Sequence, residues 1–288
     1  MSVYMKPSWL NKKIHLGSCS EVKSLLRGLK LETVCEQASC PNIGECFSRS
    51  HATFLILGRQ CTRSCSFCNV VKGKPLPPDP GEPVRVAEAV KKLSLKHVVI
   101  TSVTRDDLAD GGANIFADTV LNIRKSTPQV TIEILIPDFK LSLDSLRAVA
   151  ESGPDIIAHN VETVPSLYRS VRQGSDYRRS LGVLGAIKKI SPCLKTKSGI
   201  MLGMGETEAE IISVMDDLRA VECDFLSIGQ YLQPSKLHYT VKGYIAPERF
   251  AYYKEMGLSM GFSHVESGPY VRSSYMAGEY LKFQTVQG

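Results

Sequence analysis

From Ala52 onward the chain alternates short, nearly continuous runs of Ile, Val and Leu with longer segments of helical period, and few folds accept that rhythm. Strands are expected at 52–57, 97–103, 130–136, 155–161, 196–202 and 225–230. Their almost unbroken apolar character suits parallel strands covered on both faces. Between them, 84–95, 114–125, 142–151, 176–190 and 206–221 are expected helices. In the last of these, Ile211, Ile212, Met215, Leu218 and Val221 recur at helical spacing. Six strands with five intervening helices predict an α/β fold, a partial (β/α)6 barrel of the TIM type over 51–231. An open doubly wound sheet has the same alternation, and periodicity does not choose between the two. The flanks, 1–50 and 232–288, lack the rhythm and are expected to wrap on the barrel as extensions of one compact unit. The segment 73–83, with five Pro in eleven residues, is expected to be a loop.

No apolar run approaches the roughly 18 residues that span a bilayer. The first thirteen residues are polar, without the apolar stretch of a signal peptide. The expectation is a soluble, cytoplasmic protein with no membrane partner. The net charge of +6 is scattered, with no long Lys/Arg run, so no nucleic-acid partner is expected.

Cysteine usage says more. Six of the nine Cys fall between positions 35 and 68, and without a secretory leader such clustering points to metal rather than disulfides. Cys19, Cys193 and Cys223 stand apart and are expected to be incidental thiols. Cys61, Cys65 and Cys68 form a Cys-x3-Cys-x2-Cys motif just after the first expected strand. Three thiolates so close can hold three irons of a [4Fe–4S] cubane and leave the fourth open to another ligand. A zinc site with a distant fourth ligand is the competing reading, although zinc sites usually build on paired cysteines. Cys35, Cys40 and Cys46 add a Cys-x4-Cys-x5-Cys motif, and two separate clusters explain each spacing better than one shared zinc centre.

The Cys61–Cys68 motif, with Phe67 before its third Cys, resembles the signature of the radical S-adenosylmethionine (SAM) superfamily. The run Thr33-Val-Cys-Glu-Gln-Ala-Ser-Cys-Pro-Asn-Ile-Gly-Glu-Cys46 resembles the N-terminal motif of lipoyl synthases, and Arg272-Ser273-Ser274-Tyr275 resembles their C-terminal one. Segments at 98–113, 159–164, 197–207 and 228–234 extend the likeness over nearly the whole chain. Arg59-Gln60 and Phe47 depart from the family pattern without removing a ligand.

The resemblance implies two [4Fe–4S] clusters. One is held by Cys61, Cys65 and Cys68 and binds SAM; the other, auxiliary cluster is held by Cys35, Cys40, Cys46 and Ser274, with Ser273 as the alternative ligand. It further implies SAM contacts from Phe67, Thr101, Ser102, Asn160, Glu162 and Arg172. Thr101–Thr104 stand where many superfamily members carry Gly-Gly-Glu, and Gly199–Glu206 resembles an adenine-packing motif with Met201 where Ile is usual. A structural Glu162–Arg172 ion pair is the plainer alternative for those two. Arg105, Asp106 and Asp107 are either substrate contacts or salt-bridge partners. The histidines receive no catalytic role, because hydrogen abstraction from an unactivated carbon needs no general base.

The implied reaction is radical insertion of two sulfur atoms at carbons six and eight of a protein-bound octanoyl-lysine, with the auxiliary cluster as sacrificial sulfur source. The implied partners are an octanoylated lipoyl-carrier domain, a flavodoxin- or ferredoxin-like electron donor, and an Fe–S repair or carrier protein. Another radical sulfur-inserting enzyme and a zinc-binding non-enzyme are the alternatives.

Overall fold

A computed structural model describes residues 6–11, 19–38, 40–48 and 52–281; His51, the side chains of Cys19 and Phe47, and most of 1–13 lie outside the described residues. The strands are β1 (Glu32–Thr33), β2 (Thr53–Ile56), β3 (Gln60–Cys61), β4 (Val71–Lys72), β5 (His97–Ser102), β6 (Thr131–Leu135), β7 (Ile156–Ala158), β8 (Lys195–Leu202), β9 (Phe225–Gln230) and β10 (His264–Gly268). The helices are α1 (Cys19–Gly28), α2 (Val34–Gln37), α3 (Ile43–Ser48), α4 (Glu82–Lys92), α5 (Ala113–Ser126), α6 (Leu143–Glu151), α7 (Tyr168–Val171), α8 (Tyr177–Ile190), α9 (Glu208–Ala220) and α10 (Pro247–Ser259).

Eight strands form one sheet in the order β1-β2-β5-β6-β7-β8-β9-β10, parallel throughout except for the β1 edge, which runs antiparallel to β2. Spatial order follows chain order with no reversal. A doubly wound sheet must reverse at a switch point, so the architecture is a partial TIM-type barrel. Among the described residues the barrel is not closed, since β1 and β10 are not paired with each other.

Side-chain alternation divides each strand between two environments. One face, with Phe54, Ile56, Val98, Ile100, Ile132 and Ile134, packs on Val86 and Val90 of α4 and Phe116 and Val120 of α5. Burying each of these side chains contributes roughly 1.5–3 kcal/mol. Capping sets where the helices begin. Asp176 accepts from the Arg179 amide at the start of α8, and Thr207 with Glu210 forms a capping box on α9.

The other face lines the barrel interior. Near the N-terminal ends of the strands it carries a fully buried pair, Lys197 Nζ to Glu133 Oε1 at 3.0 Å. Toward the C-terminal ends it turns small, with Gly199 beside Ser227 and Gly229 beside Gly268 in register. The small residues admit chain from elsewhere. A Cβ on Gly229 would stand 2.2 Å from the Val271 carbonyl oxygen, so the C-terminal segment crosses the barrel against bare backbone. Gly229→Ala is expected to destabilise the chain by about 1–3 kcal/mol through overpacking, measured by denaturant unfolding.

The helices and strands expected from 52 to 230 are present with ends shifted by at most a few residues. The region after 231 departs from expectation, because α10 and β10 extend the parallel sheet by one more unit. Both carry weak signals. Helix α10 buries only Phe250, Tyr253 and Gly257, and β10 (His-Val-Glu-Ser-Gly) is a half-buried edge without an aliphatic run. At the other flank, Pro83 lies in the first turn of α4, where its missing amide costs no hydrogen bond.

Candidate active site

The loop carrying the first triad leaves β2 at the C-terminal ends of the barrel strands and is cinched at its base. Strands β3 and β4 pair Gln60 with Val71 and Cys61 with Lys72, and the Gly73 amide donates to the Cys61 carbonyl at 3.0 Å. Backbone amides approach the Cys61 sulfur, Arg63 N and Thr104 N each at 3.4 Å. The Thr104 carbonyl accepts from the Thr62 amide at 3.1 Å and its hydroxyl at 2.9 Å, which latches the loop to the segment after β5. On the far side the Ser66 amide donates to the Val171 carbonyl at 2.9 Å.

Burial pushes the Cys68 thiol up to about 12 and also raises Cys65, for which the nearby Arg172 cation partly opposes the shift. Cys61, Cys65 and Cys68 act electrostatically on one another, so the three thiols share one environment. Cys65 and Cys68, reluctant to ionise alone, lose their protons most readily to a metal. Among the described residues no three His, Cys, Asp or Glu side chains converge on a single ion, whereas ligands of a multi-iron cluster sit on different corners.

Arg63, inside this loop and 9% exposed, holds it to the barrel by two bidentate pairs. Its guanidinium donates to Asp106 at 2.7 and 2.8 Å and to Asp138 at 2.8 and 2.7 Å, and Arg179 adds a 2.8 Å bond to Asp138. Burial would raise Asp138, but Arg63, the Lys140 amide and Arg179 together hold it well below the usual carboxylate range. A depressed carboxylate lends stability above its unfolded value, near pH 4, and that stability is lost as pH falls through the folded value. Arg63→Ala is therefore expected to cost the cluster-free chain about 3–5 kcal/mol at neutral pH, a gap that narrows below about pH 4 in urea titrations. Arg105 is likewise structural, donating to Asp107 at 2.8 Å and to the Leu57 carbonyl at 3.2 Å. Sequence reasoning singled out neither Arg63 nor Asp138. The only signal was a cation lodged between two cysteines.

The expected cofactor contacts gather at the same mouth. Thr101 is buried and its hydroxyl donates to the Leu135 carbonyl at 2.9 Å, while the Ser102 hydroxyl is buried without a partner. By strand alternation Ser102 shares the helix-covered face of Val98 and Ile100, opposite to Thr101. Asn160 Nδ2 donates to Glu162 Oε1 at 3.1 Å, and Glu162 has φ of +67°, a left-handed conformation unusual for a non-glycine residue. That strain is held by backbone bonds of 2.9 Å from the Glu162 amide to the Gly199 carbonyl and from the Met201 amide to the Glu162 carbonyl. Glu162 and Arg172 are not an ion pair. Arg172 instead donates to Tyr168 Oη and Ser180 Oγ, both at 2.9 Å. Phe67 packs against Val171, Met204, Tyr231 and Val241.

His159 is held neutral, down to about 3, first by burial and then by the nearby Arg172 cation. Its ring nitrogens are bonded to the Ile136 carbonyl and the Ser180 hydroxyl. Cys223 is buried and Cys193 exposed, both free and distant in sequence from the triads.

The second triad lies elsewhere. Cys35, Cys40 and Cys46 line one pocket together with Thr53, His97, Val99, Arg272 and Ser274. Burial pushes Cys35 up to about 12, with Cys40 and Cys46 adding to the shift. Short elements on β2 deliver these residues: β1 with α2 brings Cys35, and α3 brings Cys46. Asn42 Nδ2 donates to the Tyr270 carbonyl at 2.7 Å, tying this segment to the C-terminal one. Of the two candidate serines, Ser274 lines the pocket, whereas the Ser273 hydroxyl donates to Asn160 Oδ1 at 3.1 Å. Arg272 was quoted from sequence only as part of a motif, yet it lines the pocket and senses the charge of Cys40.

Comparisons with known proteins give the family and the fold. Residues 55–218 match the family model described as the radical SAM superfamily. Among solved structures, Streptococcus suis SuiB bound to S-adenosylmethionine superposes with a TM-score of 0.60 at 13% identity, covering 87% of this chain and 60% of that one. Methylornithine synthase superposes with a TM-score of 0.52 at 18% identity, covering 77% and 67%. At such identities these two speak for the fold alone. Curated relatives are far more similar. The lipoyl synthase of Citrifermentans bemidjiense is 57% identical over 290 residues, covering 100% of this chain and 99% of the relative. That of Geotalea uraniireducens is 59% identical over 280 residues, covering 97% and 99%. The chain thus belongs to the lipoyl synthase family of radical SAM enzymes.

Proposed function

We propose that the two cysteine sites divide the labour of sulfur insertion into a protein-bound octanoyl chain. In this reading Cys61, Cys65 and Cys68 hold the [4Fe–4S] cluster that binds SAM, and Cys35, Cys40, Cys46 and Ser274 hold a second one, consumed as sulfur donor. The observation that carries it is the meeting of Ser274 with the second triad in one pocket, from opposite ends of the chain. A serine oxygen is a harder ligand than thiolate and a poorer match to a soft cluster, which suits a group that must be taken apart.

When loaded, the first cluster with SAM supplies a 5′-deoxyadenosyl radical able to abstract hydrogen from unactivated carbons. The chain's residues then bind and shield. Glu162 and Asn160 face the mouth from the end of β7, and Phe67 with Met204 and Tyr231 supplies an apolar wall. Arg172, fixed by Tyr168 and Ser180, stands close enough to Cys65 to act on its charge and is suited to a carboxylate.

By this reading 1–50 is the auxiliary-ligand extension, 51–231 the radical barrel, and 232–288 the segment that returns Ser274. The substrate is an octanoyl-lysine on a lipoyl-carrier domain, with a flavodoxin- or ferredoxin-like electron donor and an Fe–S carrier that rebuilds the donor cluster. Among the described residues no helix is long and apolar enough to cross a membrane, and we place the enzyme in the cytoplasm.

An anaerobic turnover assay with an octanoyl-lysine peptide tests the whole. Mass spectrometry is expected to show a dihydrolipoyl product with two 5′-deoxyadenosines for each one formed. Deoxyadenosine without any sulfur gain would sink the substrate assignment while leaving the radical chemistry intact.

A further inference from the structure

Residues 270–280 reach the second cysteine pocket at the cost of the conformational entropy of that segment. The Tyr270 carbonyl accepts from Asn42, and the Ser273 hydroxyl donates to Asn160. Ser274, Tyr275, Ala277 and Gly278 then line the pocket, so its wall is the path between Ser273 and whatever holds the chain beyond it. Tyr280 is that hold. Its side chain is 0% exposed and sits among Ile156, Phe225 and His264, the first residues of β7, β9 and β10. The ring meets Phe225 edge-on at 5.5 Å and His264 at 4.7 Å. Its face lies 3.8 Å from the Lys197 ammonium, itself fully buried and paired with Glu133. A desolvated cation against an aromatic face is worth more than the same contact in water. The Tyr280 hydroxyl has no partner, so the ring rather than the oxygen is what the barrel holds.

We infer that Tyr280 is the anchor of this strap: by capping the Lys197–Glu133 pair at the N-terminal end of the barrel, it holds Ser274 against Cys35, Cys40 and Cys46. It is a positioning residue, remote from the SAM mouth, and the inference rests on the second-cluster reading above.

The test compares Tyr280→Ala and Tyr280→Phe with the parent full-length chain. Reconstituted parent is expected to hold about eight iron and Tyr280→Phe the same, while Tyr280→Ala falls to about four. Reductive SAM cleavage in Tyr280→Ala should persist, which serves as the control for folding. In cluster-free protein, alkylation of Cys40 and Cys46 should run ~10-fold faster in Tyr280→Ala than in the parent, as the strap opens locally. If Tyr280→Ala does not fold, Tyr280→Leu keeps most of the apolar volume without the π face and is expected to show the same iron loss. Full iron with unchanged alkylation in the alanine or leucine variant overturns the anchor, as does iron loss in Tyr280→Phe. Should the parent itself hold only about four iron, the two-cluster reading fails first and takes the anchor's purpose with it.

Discussion

Replacing Cys65 by alanine is expected to abolish 5′-deoxyadenosine formation outright, while the polypeptide stays folded. Cys65 is the middle cysteine of the loop, and its thiol feels both Cys61 and the Arg172–Glu162 side of the mouth. Removing it leaves two thiolates for a cluster that needs three, and no other cysteine of the described chain lies in that loop. The loop itself is held by Arg63, Thr62 and Ser66 rather than by Cys65, so its backbone should persist. Anaerobic incubation with SAM and a strong reductant, followed by chromatography of deoxyadenosine, is the measurement. Cleavage at anything near the parent rate would remove Cys65 from the ligand set.

Cys40→Ala is expected to separate the two halves of the reaction. SAM cleavage should continue, while lipoyl product disappears and iron falls from about eight to about four per chain. The reason is spatial: the thiols that influence Cys35 are Cys40 and Cys46, whereas those that influence Cys65 and Cys68 belong to the other triad. Ser274→Cys sharpens the comparison. A fourth thiolate is the softer ligand, so the second cluster should be retained more firmly and give up sulfur more slowly. Undiminished lipoyl product from Cys40→Ala would end the sulfur-donor role of that site.

Much of this enzyme was legible before any coordinates. The aliphatic runs at 97–103 and 225–230 and the capped helix after Thr207 are local patterns, and local patterns need no partner to be recognised. The cysteine spacings were equally plain, because three ligands on one short loop are a matter of sequence distance. Helix α10 and strand β10 were not legible, since an edge strand that buries one face against its neighbours carries no aliphatic run. Arg63 was passed over for a related reason: a buried arginine reads as an exposed one until Asp106 and Asp138 arrive from residues 43 and 75 positions away.

Sequence by itself determined two sets of three cysteines, an alternation of strands and helices to carry them, and a serine motif near the C-terminus. Tertiary structure alone decided that Ser274 lines the pocket of the second triad, that Arg172 bonds Tyr168 and Ser180 rather than Glu162, and that a glycine at 229 lets the returning strap cross the sheet. The physical reason is reach. Covalent spacing specifies what a few neighbouring residues can bind, but a contact closed over more than two hundred residues exists only once the barrel has brought its two ends together.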